Sequence, residues 1–237
     1  MPRPSLLPAG NRLLDSLPRQ SREHLLAQCE LTELSRSEVL FEPEQRFSHA
    51  FFPVSGYISL INPSDSEGSL ETGLVGNEGM LATPLLLGVD LASKRALVQG
   101  PGAAWRIKAA SFGRELERNA TLRRVLNRYL YVVQCQLAQT AVCTRFHVVE
   151  ERLARWLLMT GDRAQCEEFY ITQEFIAAML GVRRAGITGA ANLLKKRSLI
   201  RYCRGRLTIL DRPGLQAAAC PCYAAARKTY AKILGVA

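Results

Sequence analysis

Two adjacent arginines, Arg183 and Arg184, open a stretch whose residue types suit the binding of a polyanion. A guanidinium is a planar fork that can bond both acceptors on the edge of a guanine, and it also pairs with phosphate oxygens. Between positions 170 and 212 stand nine basic residues, namely Arg183, Arg184, Lys195, Lys196, Arg197, Arg201, Arg204, Arg206 and Arg212, against the acidic Glu174 and Asp211. The charge is uneven along the chain. Residues 1–146 carry 16 basic and 14 acidic side chains, whereas residues 147–237 carry 15 and 7. A basic half joined to a near-neutral half suggests a nucleic-acid-binding domain attached to something else.

The local pattern says how those side chains are held. Thr172 precedes QEFIAAML, so its hydroxyl can cap a helix with Phe175, Ile176, Met179 and Leu180 on its core face. Gly181 then permits the left-handed backbone of a tight helix–helix corner. A second helix is expected over Arg183–Arg197, with Ile187, Ala190, Ala191 and Leu194 inward. That leaves Arg183, Arg184, Gly186, Thr188 and Gly189 exposed near its start, where a recognition helix meets base edges. Leu199–Tyr202 and Leu207–Leu210 read as a β-hairpin with Arg204–Gly205 at its tip. The whole is a winged helix-turn-helix. Thr172, Gln173, Lys195, Arg204 and Arg206 join the expected DNA contacts, the lysine and the wing arginines (Arg201 with them) on phosphates.

The remaining elements must carry that module. Residues 1–10, with three prolines and a glycine, read as mobile. Residues 11–29 read as one or two short helices broken at Pro18, with a fresh start near Ser21. From 31 to 107 the runs LTEL, EVLFE, AFFPVSGYISLI, LETGLV, RALVQ and AAWRI recur between turn residues, as short antiparallel strands of a small barrel or jelly roll do. EGMLATPLLLGV, at 78–89, reads as a short buried helical turn within it. Residues 109–146 read as one long helix. Leu126, Leu130, Val133, Leu137, Thr140 and Thr144 recur at heptad spacing, which suits either a seam against a second copy or an ordinary core-facing stripe. Gln136 and Gln139 could set its register. A further helix is expected over 148–160, with Leu153, Trp156, Leu157 and Met159 inward and Gly161–Asp162 ending it. A short strand is expected at Phe169–Ile171, and a terminal helix from Pro213 with Tyr223, Tyr230 and Ile233 inward.

Other chemistries find little support. No Ser/His/Asp set, phosphate-binding loop or metal-ligand spacing occurs, and three histidines leave little acid–base chemistry, so no enzyme is expected. Seven cysteines are scattered. Cys220-Pro221-Cys222 is the one close pair; it lacks the CxxC spacing, and no second pair completes a zinc set, so no metal site is expected. The N-terminus lacks a secretory signal and no stretch is long and apolar enough to span a bilayer, which places the chain in the cytoplasm, away from membranes, with thiols reduced.

With TQEFIAAMLGVRR and LIRYCRGRLTILD on the page, the chain resembles the Crp/Fnr family of bacterial transcription regulators. The likeness spans about residues 11–222. It implies an α+β chain: an N-terminal antiparallel β-roll at 1–112 that senses an effector, a dimerisation helix at 113–146, and a winged helix-turn-helix at 147–237. It implies a homodimer, with Leu126, Leu130, Val133, Leu137 and Thr140 at the interface. Its two recognition helices would enter major grooves about 34 Å apart on double-stranded DNA. RNA polymerase is an implied partner. Of the family's best-known base-reading set, only Arg184 is matched; Ala185 and Gly189 stand where a carboxylate and a second arginine would be. A different or looser target sequence follows. Members that bind cyclic AMP use a Gly-Glu pair and an Arg-Ser or Arg-Ala. The matching parts here are Gly76, Glu78 and Gly79 with Lys94, Arg95 and Ala96, in a reordered and more apolar setting. A cyclic nucleotide is therefore disfavoured against another ligand or none, and Glu78 and Arg95 could simply pair with each other. Only Cys29 lies where the Fnr branch clusters its cysteines, so no iron–sulfur cluster is expected. His49 and His147 are candidate haem ligands on paper, but lone histidines are more often ordinary surface or core residues. The rival reading is an effector-binding protein whose basic module serves protein interaction.

Overall fold

The computed structural model describes residues 9–64 and 68–235; most of the proline-rich start lies outside them. The chain opens with helices α1 (Arg12–Asp15) and α2 (Arg19–Leu26), separated at Pro18. Pro18 is itself the N-cap of α2, so that helix starts two residues before Ser21.

Strands β1 (Glu30–Leu34), β2 (Val39–Phe41), β3 (His49–Ser64), β4 (Gly68–Val75) and β5 (Arg95–Lys108) form one antiparallel sheet in the order β1-β5-β3-β4, with β2 also on β5. RALVQ and AAWRI, which read as two strands, are one strand of 14 residues. Its partner β3 has 16. Strands this long must bend to close a roll. The register shifts at Pro53, Ser55 and Tyr57, opposite Gly100 and Ala103. Gly56 sits there at φ 71°, and a side chain on it would run into the carbonyl oxygens of Gly100 and Pro101. The glycines let the two backbones kink together. Phe41, Phe47, Phe51, Ile58 and Val98 fill the resulting core. The interruption after β4 contains a 3-10 turn, Thr83–Leu87, with no buried residue. The expected burial holds for Gly79, Met80, Leu81 and Ala82, ahead of the turn, and not for the turn itself.

The helix expected over 109–146 is two helices, α3 (Ala109–Arg118) and α4 (Ala120–Phe146). Asn119 leaves helical backbone and its side chain accepts from the Leu122 amide, capping α4. Leu122, Leu126, Tyr129 and Val132 are the buried face of the first half of α4. Leu122, Leu126 and Tyr129 close over α1, Phe52, Ile107 and Phe112. Leu126, expected on a seam with a second copy, is therefore wholly inside its own protomer. Leu130, Val133, Leu137 and Thr140 stay half-buried. The apolar repeat served two surfaces, and periodicity could not divide them.

Helix α5 (Val149–Ala164) runs through Gly161 and Asp162 and ends at Gln165, whose φ of 53° breaks it. Then come β6 (Glu168–Tyr170), α6 (Gln173–Leu180), α7 (Arg184–Lys196), the hairpin β7 (Ile200–Cys203) and β8 (Arg206–Ile209), α8 (Arg212–Ala218) and α9 (Cys222–Leu234). The second sheet is ordered β6-β8-β7. One terminal helix was expected after Pro213; Cys220 and Pro221 divide it into α8 and α9. Leu153, Trp156, Leu157, Ile176, Ile187, Leu194, Leu207 and Leu215 form the core of this half. No helix among the described residues is long and apolar enough to cross a membrane.

The halves are locked by buried polar contacts that the sequence did not announce. Trp156 on α5 donates to Glu71 on β4 at 2.8 Å, and Ser59 donates to the same carboxylate at 2.6 Å. Burial pushes the Glu71 carboxyl up to about 7 against those two hydrogen bonds. Arg163 pairs with Glu78 at 2.9 Å, both largely buried, and also donates to the Leu74 carbonyl. Tyr230 on α9 donates to the Glu78 carbonyl at 2.6 Å.

Candidate nucleic-acid interface

Thr172 caps α6 as its position suggests, accepting from the Phe175 amide at 3.2 Å. Gly181 ends the helix at φ 60°, ψ 46°. Arg183 is the N-cap of α7, and Ile187, Ala190, Ala191 and Leu194 are its buried residues. The side of α7 left in solvent carries Arg184, Ala185, Thr188, Gly189, Asn192 and Lys195. Asn192 extends this row by one turn beyond the expected set. Its spacing of four from Thr188 was legible, and its amide can donate to and accept from an adenine edge.

Thr188 donates to Gln173 at 2.7 Å, which joins the start of α6 to the middle of α7. Arg184 lies 3.9 Å from Glu174, with both side chains mostly exposed. So loose a pair leaves the guanidinium free to turn to a stronger acceptor. Gly186 and Gly189 are helical, and a Cβ on either would meet nothing within 4 Å. Neither glycine is there to let the protein pack.

The wing tip is the two-residue turn Arg204–Gly205, with φ of 46° and 82°. Positive φ at both central positions is what a tight hairpin between twisted strands needs. Tyr170 supports the tip from below, its ring about 3.1 Å from where a Gly205 side chain would begin. Arg201, Arg204 and Arg206 are exposed, and Arg206 has a 3.4 Å contact with Glu168. Two of the nine basic residues are engaged in close ion pairs with carboxylates. Arg212 binds Glu167 at 2.7 Å and also Asp162, and Arg197 binds Glu150 at 3.1 Å. The remaining basic residues of α7 and the wing are exposed to solvent.

The proposed effector residues do not converge. Glu78 is held by Arg163, and Gly76 and Gly79 press against Arg163 and Tyr129. Arg95 pairs with Glu42 at 2.9 Å, so the imagined Glu78–Arg95 pair does not form. Lys94 and Ala96 instead line a cavity of about 80 Å³ between the roll and α4, with Phe41, Leu60, Met80, Tyr129 and Leu137. That is well below the roughly 300 Å³ of a typical ligand pocket.

Cys220 and Cys222 gain partners that sequence spacing does not show. Cys143 and His147, at the end of α4, meet them, and the four ligand-capable atoms lie within 4.8 Å of one another. Gln139, expected to set register between copies, donates to Cys222 at 3.1 Å instead. More than seventy residues separate the two pairs in the chain, so spacing could not reveal the group. His49 stays apart from it, beside Ser48 and Phe51.

Residues 151–218 match the family of the Crp-like helix-turn-helix domain. No curated protein matches the sequence. Three solved structures share the architecture, each at a TM-score of 0.67. The c-di-GMP responsive global regulator CLP of Xanthomonas campestris is 15% identical, over 81% of this chain and 99% of its own. A putative transcriptional regulator of the Crp/Fnr family from Eubacterium rectale is 17% identical, over 87% and 96%. FixK2 of Bradyrhizobium japonicum is 12% identical, over 81% and 98%.

Proposed function

We propose that this chain, which carries a Crp-like helix-turn-helix domain on the fold of the Crp/Fnr transcription regulators, is a homodimeric, sequence-specific DNA-binding regulator that acts in the cytoplasm. The observation that carries the reading is the solvent face of α7. Arg184, Thr188 and Asn192 stand one turn apart, glycines leave room between them, and an arginine-bearing wing flanks the row. In this reading α7 enters the major groove, Arg183 and Arg184 read base edges, and Lys195, Arg204 and Arg206 hold phosphates. The half-buried Leu130, Val133, Leu137 and Thr140 on α4 support pairing with a second copy. CLP is named as responsive to c-di-GMP. The cavity beside α4 is smaller and more apolar than a nucleotide cradle, so no effector is assigned to it in this reading.

The test is a set of selected genomic fragments, with affinity measured at graded salt. The intact protein should keep a preferred fragment through moderate salt. Arg184→Ala should lose that preference and retain weak binding that falls steeply with salt. Equal preference in the variant would mean that α7 does not read bases through Arg184. Binding without preference in the intact protein would favour a module that serves protein contacts.

A further inference from the structure

The four-residue group at the start of α9 takes no part in the proposed DNA recognition. Cys143 lies in the last turn of α4, and His147 is its C-cap. Cys220 sits in the link between α8 and α9, and Cys222 is the first residue of α9. The Cys143 and Cys220 sulfurs are 3.5 Å apart, and Cys222 Sγ is 3.4 Å from His147 Nδ1. All three cysteines are buried, and they form a cluster of their own.

We propose that Cys143, His147, Cys220 and Cys222 hold a single Zn²⁺ ion in a tetrahedral Cys3His site, which ties α9 to the end of the long helix. A tetrahedral zinc has ligands at about 2.0–2.3 Å, so their donor atoms stand roughly 3.5–3.8 Å from each other. The Cys143–Cys220 and Cys222–His147 separations sit at or just under that range, and all four donor atoms lie within 4.8 Å of one another. A cluster of several irons would put its cysteines on different metal atoms, farther apart than these. Gln139, whose amide donates to Cys222, supplies the outer hydrogen bond that steadies a metal-bound thiolate. The charge also fits. Arg152 and Arg155 are each 8% exposed on the adjoining turns of α5. Arg152 donates to the Leu180 carbonyl and Arg155 to the Thr140 hydroxyl. Arg155 also feels the Glu71 carboxylate, and neither arginine has a carboxylate ion pair among the described residues. The Arg155 Nε has no hydrogen-bond acceptor there. A buried guanidinium is stabilised by negative charge nearby. Zn²⁺ with three thiolates and a neutral imidazole carries one net negative charge. Three thiol protons leave for solvent as the three zinc–sulfur bonds form, and no oxidant or reductant takes part.

The position gives the ion a mechanical role. It would fasten the junction of α4 and α5 to the α8–α9 link. Helix α9 then runs back along α4 to the Glu78 loop of the roll. Losing the ion should loosen the DNA-binding half from the long helix.

The test uses the full chain, purified without oxygen from zinc-supplemented cells. Elemental analysis should find one zinc per chain, and Cys220→Ser and Cys222→Ser should lose it, while the exposed Cys166→Ser keeps it. Chelation should lower the thermal midpoint, and added zinc should restore it. Cobalt exchanged into the intact protein should give the intense visible bands of tetrahedral coordination and a sulfur-to-metal charge-transfer band. This reading decides the matter even if the serine variants fail to fold. Absence of zinc, zinc retained in both variants, a six-coordinate cobalt spectrum, an iron–sulfide chromophore or a Cys143–Cys220 disulfide in the anaerobic protein would each overturn the site.

Discussion

Gly189→Ala separates the folding of α7 from its use. Glycine inside a helix costs about 0.8–1.0 kcal/mol relative to alanine, because its backbone gives up more freedom. At position 189 nothing offsets that cost within the protein. The backbone is helical, the residue is exposed, and an added Cβ meets no atom within 4 Å. No clash and no burial enters the sum, so propensity alone sets the sign. The variant should be more stable by about 1 kcal/mol, which is about 2–4 °C in thermal midpoint for a chain of this length. Its DNA affinity should move the other way. On the proposed recognition face, the new methyl enters space that DNA fills in the complex. Overfilling a close-packed contact costs about 1–3 kcal/mol, or about 5- to 150-fold in Kd. Urea melts and fluorescence anisotropy on the preferred fragment measure the two halves separately. A stabilised variant with undiminished affinity would show that DNA does not approach Gly189 and would sink the assigned face. A destabilised variant would refute the open surroundings from which the stability gain was reasoned. Gly186→Ala should act in the same direction but less strongly on stability, since it lies in the first turn, where propensity counts for less.

Two further perturbations probe the contacts between the halves. Glu71 has a carboxyl pKa raised by burial to about 7, from about 4.5 when exposed, so the folded state holds its proton more tightly. The stability it contributes is complete below about pH 4.5 and is lost as pH rises to about 7, on the order of 3 kcal/mol. Glu71→Gln should flatten that part of the profile while keeping an acceptor for Trp156; identical urea midpoints across pH in both proteins would refute the assignment. Arg163→Ala strips the buried Glu78 of its partner and should cost about 3–5 kcal/mol in urea unfolding. A loss under about 1 kcal/mol would mean that Glu78 is solvated after all.

The sequence by itself determined the elements whose signals are local. Thr172 capping α6, Gly181 at the corner, the apolar spacing of Ile187, Ala190, Ala191 and Leu194, and the Arg204–Gly205 tip could each be read from a few neighbouring residues. So could most of the strands, and with them the roll and the winged module. Tertiary structure alone decided which side of an apolar repeat faces which neighbour. Leu126 and Leu137 belong to one heptad pattern, yet one is in the protomer's core and the other lines a cavity wall, because the roll covers only part of α4. Long-range partners were equally hidden. Glu78 found Arg163 rather than Arg95, and Cys220 and Cys222 found Cys143 and His147, because chain closure brings together residues that share no local period. Charge shows the same division. Nine basic residues were countable in 170–212, but only the fold could bring Glu150 to Arg197, and Glu167 and Asp162 to Arg212.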